Sequence, residues 1–318
     1  MNKLFGLFLL ALAFLAPGSA DAAARFAVCS TTCTWDNSST AMWSTTSGGA
    51  TGASAPTSTD DVTLDANTCV GGTTCTITTF AGTISIQTIT WGACTASTTG
   101  CIIAANTNNT NFTINNNGTG AAFSGSGTGT RSWNAGTGTY ALSSSNANNC
   151  ITMATTTNLT ATFNSATWSC SGNTTNSRIW SGGGLSYGPT TFNANTSGGS
   201  LSITGANTFS TLAINGPNTI ITSSLQTISG ALTVTGASSS AAVYFGTQDA
   251  VQNNPLTIFS LGAASTATWV GFRGVITSGA AGLTSTNCFN LGLNTFANGG
   301  SCTGPSGGGG GGGRIIGG

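Results

Sequence analysis

Gly199–Gly236 has the sequence GSLSITGANTFSTLAINGPNTIITSSLQTISGALTVTG, in which apolar and polar residues alternate in short bursts. Leu201/Ile203 and Leu232/Val234 are two of these bursts, and Gly, Asn, Ser and Thr fill the gaps between them. Bursts with a period of two that end in turn-forming residues are typical of half-buried β-strands. No window of this stretch keeps apolar residues at helical spacing. The chain is therefore predicted to be all-β, as a succession of short strands.

Short strands in quick succession fit two all-β architectures. Three successive strands would form a coil of roughly 20–30 residues, the size of one turn of a right-handed parallel β-helix, or β-solenoid. The alternative is an antiparallel β-sandwich, which the hairpin-type dipeptides Asn117-Gly118 and Asn215-Gly216 favour. Most connections lack such a dipeptide and vary in length, so the β-helix is the preferred prediction. Thr83–Ile89 is a further predicted strand on the same evidence.

The chain is almost free of charged residues. It has 318 residues, of which 6 are Lys or Arg, 6 are Asp or Glu and none is His. Charged residues make up 4% of the chain, where about a quarter is typical. A nucleic-acid partner requires clustered Lys and Arg to neutralise phosphates, so the composition predicts no such partner. It also argues against electrostatic binding to anionic lipid.

The N-terminus has the organisation of a secretory signal peptide. Lys3 precedes an apolar run, Leu4–Leu15, and the small residues Ala22–Ala24 supply cleavage sites. The run is shorter than the about 20 apolar residues that span a bilayer. Residues 1–24 are therefore predicted to be removed, which leaves no integral membrane segment. The mature chain is expected to be secreted, on the cell surface or associated with a virion.

The 10 cysteines also favour export. An even set of cysteines in an exported chain predicts disulfides. Metal binding is disfavoured because the sequence has neither a CxxC motif nor a histidine, so no metal site and no cofactor are expected. Pairing of nearest neighbours is the simplest connectivity, and other pairings stay open. The neighbours in sequence are Cys29/Cys33, Cys69/Cys75, Cys94/Cys101, Cys150/Cys170 and Cys288/Cys302.

A motif near the N-terminus resembles a known class of proteins. Trp35 and Trp43 are followed by a Gly/Ser-rich gap and then by Pro56–Asp65, PTSTDDVTLD. This arrangement resembles the opening of bacterial and phage β-solenoid surface proteins, such as autotransporter-type repeats, G8-like domains and phage tail or fibre proteins. The resemblance implies that this segment caps the solenoid and that the two tryptophans cover the open end of the core. The predicted organisation is a signal peptide at 1–24, the cap at 25–65, the β-solenoid at 66–302 and a flexible glycine-rich tail at 303–318.

Asp60, Asp61 and Asp65 form the best cluster of candidate catalytic groups. On one strand Asp61 and Asp65 would share a face, and paired carboxylates held about 5–10 Å apart hydrolyse glycosides. The alternative is that the two adjacent aspartates end a turn and solvate the start of a strand. We favour this second interpretation, since the mature sequence has no histidine, glutamate or lysine for acid–base chemistry. The protein is therefore expected not to be an enzyme and to have no catalytic residue.

Five tryptophans are candidates for glycan binding. Tryptophans along one face of a solenoid could stack on sugar rings, and Tyr140 and Tyr187 would extend such a face. The other interpretation, which we prefer, is that these side chains fill the corners and ends of the coils. The tryptophans concerned are Trp91, Trp133, Trp168, Trp180 and Trp269.

Pairs of threonines separated by one residue recur along the chain. Neutral, Thr-rich solenoids with cysteines resemble some ice-binding proteins, in which such pairs form an array that matches the ice lattice. A flat ice-binding face requires a fixed coil period, and the irregular spacing of these pairs argues against it. The pairs are Thr76/Thr78, Thr155/Thr157, Thr160/Thr162, Thr233/Thr235 and Thr266/Thr268.

The sequence thus predicts a secreted structural or adhesive surface protein, of the cell-surface or virion type, that works without catalysis. A carbohydrate-binding or glycan-cleaving β-helix protein is the alternative, and an ice-binding protein is the third interpretation. Cell-surface glycans or further copies of the same chain are the expected partners.

Overall fold

The computed structural model describes residues 22–70, 74–92, 103–105, 108–118, 120–144, 149–172, 178–195, 199–222, 224–246, 256–273, 275–291 and 294–304. Most of the predicted signal peptide and most of the predicted glycine-rich tail lie outside these ranges. Within them, no helix combines the length and the apolar character that a membrane crossing requires.

The described residues form short β-strands and one 3₁₀ helix, Ser239–Ala241. The first fifteen strands are β1 Ala24–Ala27, β2 Thr32–Trp35, β3 Trp43–Ser44, β4 Asp61–Leu64, β5 Thr76–Thr79, β6 Thr83–Ile86, β7 Thr88–Trp91, β8 Ile103–Ala105, β9 Asn111–Asn116, β10 Ala121–Gly125, β11 Arg131–Asn134, β12 Thr139–Ser144, β13 Asn149–Met153, β14 Leu159–Thr162 and β15 Thr167–Gly172. The others are β16 Arg178–Ser181, β17 Ser186–Tyr187, β18 Thr190–Asn195, β19 Ser200–Thr204, β20 Thr208–Phe209, β21 Leu212–Asn215, β22 Asn218–Thr222, β23 Gln226–Ile228, β24 Leu232–Thr235, β25 Val243–Gly246, β26 Leu256–Leu261, β27 Ser265–Arg273, β28 Val275–Gly279, β29 Leu283–Asn290 and β30 Ser301–Cys302.

These strands stack into three faces, which the chain visits in the same order coil after coil. Face 1 contains β1, β4, β7, β10, β13, β16, β19, β22, β25 and the second halves of β27 and β29. Face 2 contains β2, β5, β8, β11 and β14, followed by β17, β20, β23, β26 and β28. Face 3 contains β6, β9, β12, β15, β18, β21, β24, the first halves of β27 and β29, and β30. Neighbours within a face pair in parallel, so the fold is the β-helix that the alternation predicted.

The alternative prediction, an antiparallel β-sandwich, is therefore wrong. Among the described residues, β1 and β3 form the one antiparallel pair. Asn117-Gly118 lies at the corner between β9 and β10, and Asn215-Gly216 lies at the corner between β21 and β22. At the first corner the Gly118 amide donates to the side-chain oxygen of Asn116. These dipeptides turn the chain from face 3 to face 1 and form no hairpin.

The coils differ in length along the chain. Side chains that are hydrogen-bonded between neighbouring coils of face 3 are 28 residues apart at Asn115 and Ser143. They are 18 residues apart at Thr268 and Thr286. The longer coil has the predicted size, and the shorter one falls just below the range of roughly 20–30 residues.

The core is built from inward side chains that stack from coil to coil. On face 3, Phe112, Tyr140 and Trp168 are buried and occupy one register position. Their ring centroids are 4.9 Å and 4.4 Å apart, with interplanar angles of 18° and 22°. Each such pair contributes about 0.5–1.5 kcal/mol beyond the area that it buries. This aromatic stack is the centre of the N-terminal half of the core.

Trp35 and Trp43 pack together at the N-terminal end of the β-helix. Both are buried, and their ring centroids are 5.2 Å apart in an edge-to-face arrangement. Trp43 belongs to β3, which pairs with β1. The ladder of face 1 continues without a break past residue 65, because β4 pairs with both β1 and β7.

Four of the five predicted nearest-neighbour disulfides are confirmed. Cys29 and Cys69 also form a parallel bridge between neighbouring coils, which stacks two of the small disulfide loops. Cys94 and Cys101 lie outside the described residues. The bonds are Cys29–Cys33, Cys69–Cys75, Cys150–Cys170 and Cys288–Cys302.

Side-chain amides stack at a buried corner in the middle of the chain. Asn207 and Gln226 are both buried, and Asn207 Nδ2 donates to Gln226 Oε1 at 3.0 Å. Gln226 in turn donates to the Gly205 carbonyl at 2.8 Å, and the Gly184 amide donates to Asn207 Oδ1 at 3.1 Å. Buried amides cost stability unless they are paired, and here they hold successive coils together.

Candidate functional site

The predicted carboxylate cluster lies around β4, and Asp60 is its buried member. Asp60 is 4% exposed, and its Oδ2 accepts hydrogen bonds from the amide and the hydroxyl of Thr57 at 2.8 Å and 2.9 Å. The guanidinium of Arg25 lies 3.8 Å from the same oxygen. Asp60 thus closes the turn that leads into β4.

The other two aspartates are also engaged by neighbouring residues. Asp61 accepts a hydrogen bond from the Thr88 hydroxyl of the next coil at 2.5 Å. Asp65 accepts one from the amide of Asn67 at 2.9 Å. These contacts fit the interpretation of a turn followed by a strand start. Among the described residues, no group of three or more His, Cys, Asp or Glu side chains could hold a metal ion.

Asp36 is a further carboxylate that stabilises a turn. Its Oδ1 accepts hydrogen bonds from the backbone amides of Ser38 and Ser39. These amides favour the charged carboxylate and lower the pKa of Asp36 below its ordinary value. The group is a local anchor of the chain after β2.

Four of the five tryptophans considered for glycan stacking are buried, in line with the preferred interpretation that they fill the coils. Their rings fill the core, as in the edge-to-face pair of Trp91 and Trp133, whose centroids are 5.3 Å apart. Tyr140 and Tyr187 are buried with them, so none of these six rings offers a face to a sugar. Trp269 alone of the five is half-buried and reaches the surface. The four buried tryptophans are Trp91, Trp133, Trp168 and Trp180, each 3% exposed or less.

Two buried arginines were missed as structural residues at the sequence level. Each begins an R-x-W segment, Arg131–Trp133 in β11 and Arg178–Trp180 in β16. Strand alternation turns both members of such a segment to the same side, and both arginines are 1% exposed. The signal was therefore present in the sequence as a charged residue in phase with an inward tryptophan.

The Arg131 guanidinium binds backbone carbonyls of its own coil and the next. It lies 5.5 Å from the ring centre of Trp91, in a cation–π contact. Burial lowers the pKa of Arg131. The accepting carbonyls are those of Gly129, Thr155 and Thr157, at 3.2 Å, 2.7 Å and 2.9 Å.

Arg178 has a similar role further along the chain, on face 1. It donates to the carbonyls of Cys170 and Asn193, at 3.3 Å and 3.0 Å. Burial lowers the pKa of Arg178 to about 10. Both guanidinium groups stabilise the path of the backbone and are inaccessible to a ligand.

Face 3 presents a regular array of threonines near its C-terminal end. The pairs of β24, β27 and β29 come into register on adjacent strands. Adjacent strands are about 4.8 Å apart and alternate residues about 7 Å apart, so the hydroxyls form two parallel rows. We call these residues the threonine face: Thr233, Thr235, Thr266, Thr268, Thr284 and Thr286.

Irregular spacing in the sequence does not prevent this register. Neighbouring coils are separated by 33 residues between β24 and β27 but by 18 between β27 and β29. Loops absorb the difference, and the strands still align. The pair Thr284/Thr286 was not predicted, and the predicted pairs Thr76/Thr78 and Thr160/Thr162 lie on face 2 instead. Thr155/Thr157 belongs to the turn before β14.

Comparison of the chain with protein-family models, with curated proteins and with solved structures found no match. Membership of the class of β-solenoid surface proteins, which the N-terminal motif resembles, thus remains a prediction from the sequence.

Proposed function

We propose that the protein is an extracellular structural or adhesive rod, which works by presenting a stiff surface and not by catalysis. The observation that carries the proposal is which side chains of the protein point inward and which point outward. In the described coils most large aromatic rings pack into the core, and the outer faces are formed mainly by Thr, Ser and Asn. Coils that are hydrogen-bonded to their neighbours along three faces make such a surface rigid.

Two further features support the proposal. The 4 described disulfides are typical of proteins that fold in an oxidising compartment. Asp60, Asp61 and Asp65, the best candidates for catalysis, are engaged in turns and strand contacts. The glycosidase alternative would need two of these carboxylates free to meet a substrate.

Labelling of intact producing cells or virions with an antibody is expected to detect the mature chain at the surface. The matched control is Leu10→Arg, which breaks the apolar run of the leader and should abolish surface labelling. Retention of the wild-type chain in the cytoplasm would overturn the proposal.

Catalysis is tested on the purified mature chain with an array of polysaccharides. We expect no release of sugar from any of them. Release that disappears in Asp61→Asn and persists in Asp36→Asn would instead establish the glycosidase alternative.

Ice binding is a second candidate function, and the threonine face is the observation that favours it. Its hydroxyls and methyl groups repeat in two dimensions on a neutral surface, an arrangement that can order water. Thr268 Oγ1 and Thr286 Oγ1 are 3.2 Å apart across the strands. This function needs no partner protein and no catalytic group.

The second candidate predicts thermal hysteresis in a solution of the purified protein. Thr266→Lys should remove it, because a long charged side chain in the middle of the array interrupts the repeat of the threonines. Thr227→Lys, an exposed position on face 2, is the matched control and should retain full activity. Absence of hysteresis in the wild-type protein would exclude this function.

A further inference from the structure

Three aromatic side chains lie together on the outer surface toward the C-terminal end of the described coils. Tyr244 is 38% exposed, and Trp269 and Phe289 are half-buried. The ring centroids of Trp269 and Phe289 are 6.3 Å apart, with an interplanar angle of 33°. Tyr244 and Phe289 occupy one register position on face 1, with Gly271 between them. We call Tyr244, Trp269 and Phe289 the aromatic patch.

Two glycines lie next to Tyr244, Gly271 beneath its ring and Gly246 two residues along the strand. A Cβ atom at Gly271 would lie 2.4 Å from Cδ1 of Tyr244, so the tyrosine ring rests directly on the backbone of the next strand. A Cβ atom at Gly246 would meet no described atom within 4 Å. Strand alternation turns Gly246 outward, since Val243 and Phe245 are buried. Among the described residues, no atom covers the outward side of Gly246 beside Tyr244.

Trp269 has a backbone conformation that bulky residues rarely adopt. Its φ is 50°, in the left-handed region, and Asn287 has a φ of 52° at the same place on the next coil. Asparagine tolerates this conformation, whereas for a bulky residue it is an outlier that costs stability. Such strain is concentrated at ligand-binding sites. A tryptophan at a position that suits asparagine points to a role on the surface rather than in the fold.

Arg273 is an exposed arginine on the strand beside Gly246. It follows Gly271 by two residues in β27 and pairs in register with Gly246. No acidic side chain of the described residues forms an ion pair with it. In a chain with only 6 Lys and Arg residues, a guanidinium beside aromatic rings provides a localised site for an anion.

We propose that this surface binds an acidic sugar of the uronic-acid class within a glycan chain. Aromatic rings bind the C–H face of a pyranose by burying apolar surface. Arginine binds a carboxylate through two parallel hydrogen bonds. In this arrangement Tyr244 contacts the sugar ring above Gly246, and Arg273 binds its carboxylate. The inference rests on the proposed adhesive function and deepens it by naming the class of glycan.

Calorimetry with polygalacturonate as the probe and dextran as the neutral control tests the proposal. The wild-type protein should bind polygalacturonate and not dextran. Arg273→Gln should lower the affinity about tenfold or more, because it removes a charge-assisted contact. Tyr244→Ala should also weaken binding, whereas Tyr244→Phe should retain it. Leu225→Ala, which truncates a side chain of similar exposure, 41%, should leave the affinity unchanged.

Three outcomes would overturn the inference. One is equal binding of dextran, and a second is unchanged affinity in Arg273→Gln. The third is that Tyr244→Ala lowers stability and leaves binding intact, which would mean that the ring only covers a weak position of the sheet at Gly271. A chain that is displayed at the surface but binds no polygalacturonate would contradict this inference and leave the proposed function standing.

Discussion

Replacing Trp168 by alanine is expected to lower the free energy of unfolding by about 3–5 kcal/mol. The side chain is 0% exposed, and its ring is stacked on Tyr140 at 4.4 Å. It also meets Phe163 and Tyr187, with centroids 5.2 Å and 5.5 Å away. Its indole nitrogen donates to the Phe163 carbonyl at 3.0 Å. Truncation would open a cavity in the middle of these rings, which belong to three successive coils.

The measurement is denaturant unfolding followed by far-ultraviolet circular dichroism. Thr167→Ala is the matched control, since Thr167 is the exposed neighbour in the same strand, and its effect should stay within about 0.5 kcal/mol. Similar midpoints for the two variants would show that the aromatic stack does not support the core.

Loss of the Cys150–Cys170 disulfide is the second large effect that we expect. The bond joins β13 on face 1 to β15 on face 3, and both cysteines are 0% exposed. It closes a loop with a sequence separation of 20, which corresponds to about 3 kcal/mol on the chain-entropy model. The double variant Cys150→Ala with Cys170→Ala should therefore unfold at a clearly lower denaturant concentration.

The Cys29–Cys33 bond provides the comparison, because its sequence separation is 4. Removing it by the same double substitution should cost about 2 kcal/mol on the same model. Wild-type protein refolded with reduced thiols keeps all the side chains and isolates the effect of the cross-links. Equal losses in the two double variants would contradict a dependence on loop length.

Alternation along single strands was enough to predict the fold but not where the corners lie. Thr83–Ile89 was predicted as one strand, yet the chain turns at Gln87 and gives β6 on face 3 and β7 on face 1. Ile86 and Ile89 both point inward, so the inward positions shift by one residue at the corner. Because the backbone keeps a β conformation through such a corner, the residue types around it do not indicate where the chain turns.

The candidate surfaces were harder to predict because they depend on neighbours in space. Thr266 and Thr284 lie in one row although a whole coil separates them, and loop length hides that register in the sequence. The aromatic patch has the same origin, since Tyr244, Gly271 and Phe289 come from three coils. By contrast, the inward position of Arg131 follows from its phase with Trp133 within a single strand.

The near absence of charge has a consequence for the conditions in which the rod can work. Within the described residues, the contact of Arg25 with Asp60 at 3.8 Å is the one ion pair. The Debye length falls from about 30 Å at 0.01 M salt to about 3 Å at 1 M, but little in this molecule responds to that change. Hydrogen bonds and packing, which salt does not screen, hold the coils together. The stability of the β-helix is therefore expected to be equal in fresh water and in brine. Binding at Arg273 is the property that is expected to depend on salt.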